Sequence, residues 1–112
     1  MPSNGKKLVF LSSPYTLGDV AVNVRESLLM ADKIEAAGFM VYAPLLSHFR
    51  HMILPHEYEY WIQRGIEWIG RCDCVLRMPG KSKGADREVR AAEICNIPVY
   101  YSLEELINAE KD

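Results

Sequence analysis

Residues 73–101 read DCVLRMPGKSKGADREVRAAEICNIPVYY. Two short apolar runs stand at its ends, Asp73 through Val75-Leu76 to Met78 and Ile97 to Tyr101. Pro79-Gly80 cuts the first run, the polar loop Lys81-Ser82-Lys83 follows, and helical spacing extends from about Gly84 to Cys95. A strand, a loop, a helix and a second strand in that order form the crossover unit of a parallel sheet.

The same alternation extends outward. Upstream, Leu8-Val9-Phe10-Leu11 is bulky and apolar and ends in Ser12-Ser13-Pro14, as expected of a strand buried on both faces. After the Leu17-Gly18 loop, Asp19 is placed to cap a helix whose inner face is Val20, Val24, Leu28, Ala31 and Ile34. Gly38 lies just past its end, where a left-handed residue is expected, and Phe39 to Ala43 is a second strand stopped by Pro44. Leu45 to Pro55 reads as a long loop and a candidate binding segment. From His56 to Arg71, Tyr58, Trp61, Ile62, Ile66 and Ile69 fit one helical face, with Gly65 among them. Downstream, Ser102 can cap a last helix, with Glu105 at the capping-box position. The order predicts an α/β domain with helices on both faces of a parallel sheet. In such sheets ligands sit beyond the carboxyl ends of the strands, here Ser12 to Gly18, Pro44 to Pro55 and Pro79 to Gly84.

At 112 residues the expectation is a single domain, 1–112. Hydrophobic residues at 49% and charged residues at 25% are the balance of a globular chain. Thirteen basic against fifteen acidic residues give a net charge of -2, which argues against a nucleic acid polymer as partner. No apolar run approaches the ~20 residues of a membrane span, and Met1 to Lys7 is too short and polar for a signal peptide. Three cysteines, Cys72, Cys74 and Cys95, form no even framework, so a reducing cytoplasm is the expected location.

Glu88 is the most informative residue. On a helix from Gly84, Asp86, Arg90 and Glu93 share the polar side, with Asp86 and Arg90 spaced for an ion pair. Ala85, Val89, Ala92 and Cys95 must face the sheet, and at ~100° per residue Glu88 falls near the centre of that apolar arc. A carboxylate is rarely buried without a partner, so one here, a turn into a helix at the ligand edge, reads as facing a cleft. Pairing with a nearby Arg is the bland alternative. Ser82-Lys83-Gly84-Ala85 places a hydroxyl and helix N-terminal amides beside that cleft, either as an anion site or as an ordinary N-cap.

Other positions divide between roles. Tyr15 can line a pocket, bond a carboxylate or simply pack. Asp73 opens the third strand, where a turn or capping role competes with ligand binding. His48, His51 and His56 are too loosely spaced for a zinc site. Cys72 and Cys74, two apart entering a strand, can share one face, although packing is their commoner use. No P-loop, Gly-x-Gly-x2-Gly or Gly-x-Ser-x-Gly motif is present.

Ser12-Ser13-Pro14-Tyr15, Asp73-Cys-Val-Leu, and Ser82-x-Gly84-x3-Glu88 followed by Ala91-Ala92 and Ile97-Pro98-Val99 resemble the nucleoside 2-deoxyribosyltransferase family. That family includes deoxynucleoside monophosphate N-glycosidases and small, often phage-borne relatives. The resemblance runs from Leu8 to Tyr101. It implies a Rossmann-like three-layer sandwich with a four- to five-stranded parallel sheet. It also implies cleavage or transfer at the N-glycosidic bond of a 2'-deoxynucleoside or its 5'-monophosphate. Glu88 falls on the nucleophile, Tyr15 on the aromatic residue that holds it, and Ser82 and Gly84 on the sugar or phosphate contacts. With these, Ser13, Pro14, Asp73 and His48 complete the substrate-binding candidates. No metal or organic cofactor is implied, the partner is a small-molecule nucleoside or nucleotide, and a homodimer or higher homo-oligomer is expected.

One position departs from the pattern. Where relatives carry an aspartate that assists the departing base, this chain has Gly65. Glu57, Glu59, Glu67 and His48 are the nearby substitutes, and the sequence singles out none of them. A non-catalytic nucleotide-binding or sensing module of the same fold is therefore the alternative.

Overall fold

A computed structural model describes residues 5–110. Four strands, β1 (Leu8–Ser12), β2 (Met40–Tyr42), β3 (Cys74–Arg77) and β4 (Val99–Tyr100), form one parallel sheet in the order β2-β1-β3-β4. Register is set by Val9 opposite both Val41 and Cys74, and by Val75 opposite Val99. The helices are α1 (Val20–Ala36), α2 (Ser47–Ile53), α3 (Tyr58–Ile69), α4 (Lys83–Ile94) and α5 (Leu103–Glu110). This is the α/β architecture the alternating pattern predicts.

Strand alternation sorts the core into two layers. Val9, Leu11, Cys74 and Leu76 meet Ile34 of α1 and Leu106 of α5 on one face. Phe10 and Val75 meet Ile69 of α3 and Ala92 of α4 on the other. Cys72 lies before β3, outside the alternation, so it packs in the second layer while Cys74 packs in the first; the two do not share a face, and both serve packing. Burial holds both thiols protonated, with pKa values raised to about 11 and about 12.

Caps fall where the residue types put them. Asp19 Oδ1 accepts from Val22 N at 3.1 Å, Gly38 takes φ +103° past α1, and Ser102 Oγ accepts from Glu105 N at 3.1 Å. Two expectations are corrected. The inner stripe of α1 carries Ser27, fully buried, while Leu28 faces out. The Ser27 hydroxyl finds Ser13 Oγ at 3.3 Å, which removes the penalty that hydroxyl burial would carry. The expected loop from Leu45 to Pro55 contains a 3-10 turn over Pro44–Leu46 and then α2. None of the α2 residues is buried, so no apolar periodicity marks this helix in the sequence.

Candidate active site

α4 begins at a serine cap, Ser82 Oγ accepting from Ala85 N at 3.0 Å. One turn on, Glu88 points at the sheet beside Ala85 and Ala92 and is 7% exposed. Ser12 closes β1 and, two residues after Phe10, faces the α3/α4 layer. Its hydroxyl donates to Glu88 Oε1 at 2.7 Å. The other oxygen lies against Gly65 of α3, where a Cβ would stand 3.0 Å from Oε2. α3 comes close to α4 at Gly84 as well, where a Cβ would meet Ile62 Cδ1 and Tyr58 Oη at 3.1 Å.

Burial pushes the Glu88 carboxyl up from an ordinary 4.5 to about 7. The Ser12 hydrogen bond and the positive charge of Arg77 oppose that shift and do not overcome it. Arg77 is itself buried and is held by Asp86 Oδ1 at 3.0 Å and by the Met78 carbonyl. The partner of Asp86 is thus Arg77, across the β3–α4 loop, and not Arg90.

Glu88 forms part of the wall of a cavity of about 240 Å³ at the carboxyl end of the sheet. Ser13 and Tyr15 approach from the turn after β1, and Tyr42, Ser47, His48 and His51 from β2 and α2. α3 adds Tyr58, Trp61, Arg64 and Gly65, and the start of α4 adds Ser82, Gly84 and Ala85. On this wall Trp61 Nε1 donates to His51 Nδ1 at 2.9 Å, and the His56 amide donates to the same nitrogen at 3.2 Å. Arg64 donates to Tyr42 Oη at 2.9 Å and Ser47 Oγ at 3.0 Å, with its guanidinium 5.8 Å from the Trp61 ring. Among the described residues no carboxylate pairs with it.

Of the predicted site residues, Ser13, Tyr15, His48, Ser82, Gly84 and Glu88 line this one cavity. Pro14 and Asp73 do not. Pro14 turns toward Gly80. Asp73 sits at the opposite edge of the sheet, where Oδ2 accepts from Leu8 N at 2.7 Å and ties β3 to the start of β1. Its place before the strand, not after it, makes it a structural cap. Tyr15 also differs from expectation. Its hydroxyl lies 2.6 Å from His48 Nδ1, and the group that bonds Glu88 is Ser12. Sequence reasoning passed over Ser12, Tyr42, Arg64 and Trp61. Only Ser12 carried a usable signal, the strand alternation that puts it on the Phe10 side.

A family model described as "Domain of unknown function (DUF4406)" matches residues 7–101. The chain belongs to the DUF4406 family. No curated protein matches the sequence. Among solved structures this DUF4406 chain is similar to the 2-deoxyribosyltransferase of the psychrotolerant bacterium Bacillus psychrosaccharolyticus. The TM-score is 0.60 at 20% identity, over 82% of this chain and 69% of that one. The likeness is one of fold, and it matches the architecture implied by the motifs around Ser12, Asp73 and Glu88. Among the described residues no helix is long and apolar enough to cross a membrane, and no group of three or more His, Cys, Asp or Glu side chains could hold a metal ion.

Proposed function

We propose that this cavity cleaves or transfers at the N-glycosidic bond of a 2'-deoxynucleoside or its 5'-monophosphate, with Glu88 as the nucleophile. The observation that carries the reading is a buried carboxylate in the wall of a cleft at the carboxyl end of the sheet, held by one hydroxyl and backed by a glycine. C1' of a deoxyribose develops oxocarbenium charge as the base departs, and a carboxylate on its open face both stabilises that charge and captures it as an ester. Water then completes hydrolysis, or a second base completes transfer. Ser82 and Gly84, at the amide-rich start of α4, are assigned to the sugar or its phosphate. The fold shared with a 2-deoxyribosyltransferase supports the same chemistry. The exposed apolar side chains Phe49, Met52 and Ile53 support self-association as a homodimer or larger assembly.

The test is incubation of the chain with deoxynucleosides and their 5'-monophosphates, followed by chromatography for free base. Only the ionised carboxylate attacks, so on the acid side base release should rise with pH toward about 7. A flat profile across that range would remove Glu88 from the reaction. A non-catalytic nucleotide-binding module is the second reading, favoured by one fact: Glu88 is the sole carboxylate among the described residues lining the cavity. Tight binding without release would establish it.

A further inference from the structure

A departing base needs a proton, and the cavity offers no second carboxylate to give it. Glu57, Glu59 and Glu67 all lie outside the lining, and Glu59 is tied to Arg87 at 2.6 and 2.8 Å. The choice falls among the three imidazoles. At His51, Nδ1 already accepts from two N–H groups, so a proton there would face both of them and the ring is held with its hydrogen on Nε2. His56 is exposed and stacked on Tyr60 at 3.9 Å, with no hydrogen bond from its ring to any described residue. His48 is half-buried, and its Nδ1 partner is the Tyr15 phenol at 2.6 Å.

A phenol both donates and accepts. When the His48 ring is an imidazolium, Nδ1–H donates to the Tyr15 oxygen; when the ring is neutral, the Tyr15 O–H donates to Nδ1. One partner in one position serves both ends of a proton transfer. The turn that carries Tyr15 is itself pinned, since Asn23 Nδ2 donates to the carbonyls of Tyr15 at 2.9 Å and Leu17 at 2.8 Å.

We propose that His48 is the proton-transfer residue of this cavity, with Tyr15 as its positioning residue. The inference rests on the reading that Glu88 attacks C1'. As the C1'–O bond forms, the C1'–N electron pair moves onto the base, and the His48 Nε2 proton is delivered to a base nitrogen. Base and imidazole leave this step neutral. In the second half, water attacks C1', its proton passes to His48 Nε2, and Glu88 departs as the carboxylate.

The experiment follows the first turnover, before water enters, and compares two leaving groups on the full chain: the deoxynucleoside the native protein cleaves fastest, and 4-nitrophenyl 2-deoxyriboside, whose phenolate departs without a proton. His48→Gln should lower base release by about 10²–10⁴-fold. Release of 4-nitrophenol should fall by less than about tenfold, because that step needs no acid. Tyr15→Phe should show the same split at smaller size, which a purely structural role would not produce. Should His48→Gln fold poorly, His48→Ala with added imidazole reads the same step, and recovery of base release is expected. Equal losses on both substrates, or no loss on either, would overturn the assignment of His48 while leaving Glu88 in place. A native chain that releases neither base nor 4-nitrophenol, or Glu88→Gln cleaving both as well as the native chain does, would instead remove the reading on which it rests.

Discussion

Replacing Glu88 by Gln is expected to lower base release by at least about 10³-fold and, at pH 8, to make the folded chain more stable. The first effect follows from losing the attacking group, since enzymes stripped of their nucleophile retain only what binding and local dipoles supply. The second follows from linkage. The folded-state pKa of Glu88, about 7, lies above the ordinary value of 4.5, so the folded chain holds a proton that the unfolded chain releases. The sign is therefore the reverse of an ion-paired carboxylate. Below about 4.5 the group is neutral in both states and costs nothing; stability is lost as pH rises toward 7, and above it the full cost of burying the charge is present. Glutamine carries no such cost while keeping an oxygen to accept from Ser12. The shift sets an upper bound of about 3 kcal/mol on the gain at pH 8, fading to nothing near pH 4. Chemical denaturation of both proteins at the two pH values measures it. A variant that is less stable at pH 8 would mean that Glu88 is satisfied in the fold and not strained for use.

The second large effect belongs to Gly65. In an ordinary exposed helix, Gly→Ala gains up to about 1 kcal/mol from the backbone. Here the added methyl would stand 3.0 Å from Glu88 Oε2 and 3.6 Å from Phe10 Cζ, so the carboxylate must give way. A full ångström of misplacement at a reacting atom costs on the order of 10²-fold in rate, and the 3.0 Å contact asks for a few tenths of that. Gly65→Ala should therefore fold, bind nucleoside and turn over up to about tenfold more slowly. Gly65→Asp should do worse, because its carboxylate would enter the space Glu88 occupies and repel it, raising the pKa further. Kinetics of the two variants across pH test this. Full activity in Gly65→Ala would show that Glu88 does not react from the position it holds against α3, and a gain in Gly65→Asp would show that an acid fits where the geometry leaves no room.

The parts of this molecule that could be read from sequence are those governed by neighbours along the chain. Short apolar runs ended by Pro14, Pro44 and Pro79 mark three strands, and Asp19, Ser82 and Ser102 mark helix starts through local hydrogen bonds. Glu88 was legible for the same reason: Ala85 and Ala92 fix which side of α4 is inward, and a carboxylate between them stands out. Features set by tertiary approach were not. α2 buries nothing, so its pattern is silent. Ser27 is inward only because Ser13 waits across the interface. The Tyr15–His48 contact joins residues 33 positions apart, and the Arg64–Tyr42 contact residues 22 apart; no periodicity links either pair. For Asp73 the sequence offers both roles, and the capping one holds, because a residue before a strand lies at the far edge of a parallel sheet from one after it.

The most direct test is to trap the ester. A 2'-deoxy-2'-fluoroarabinosyl nucleoside slows release of the sugar after capture, because fluorine withdraws electrons from the oxocarbenium-like transition state. The native chain, quenched in acid after incubation and digested, should show one fluorinated pentosyl unit on the peptide containing Glu88, absent from Glu88→Gln. The same label on another residue, or a chain that releases base from the analogue with no adduct at any time, would contradict Glu88 as the nucleophile.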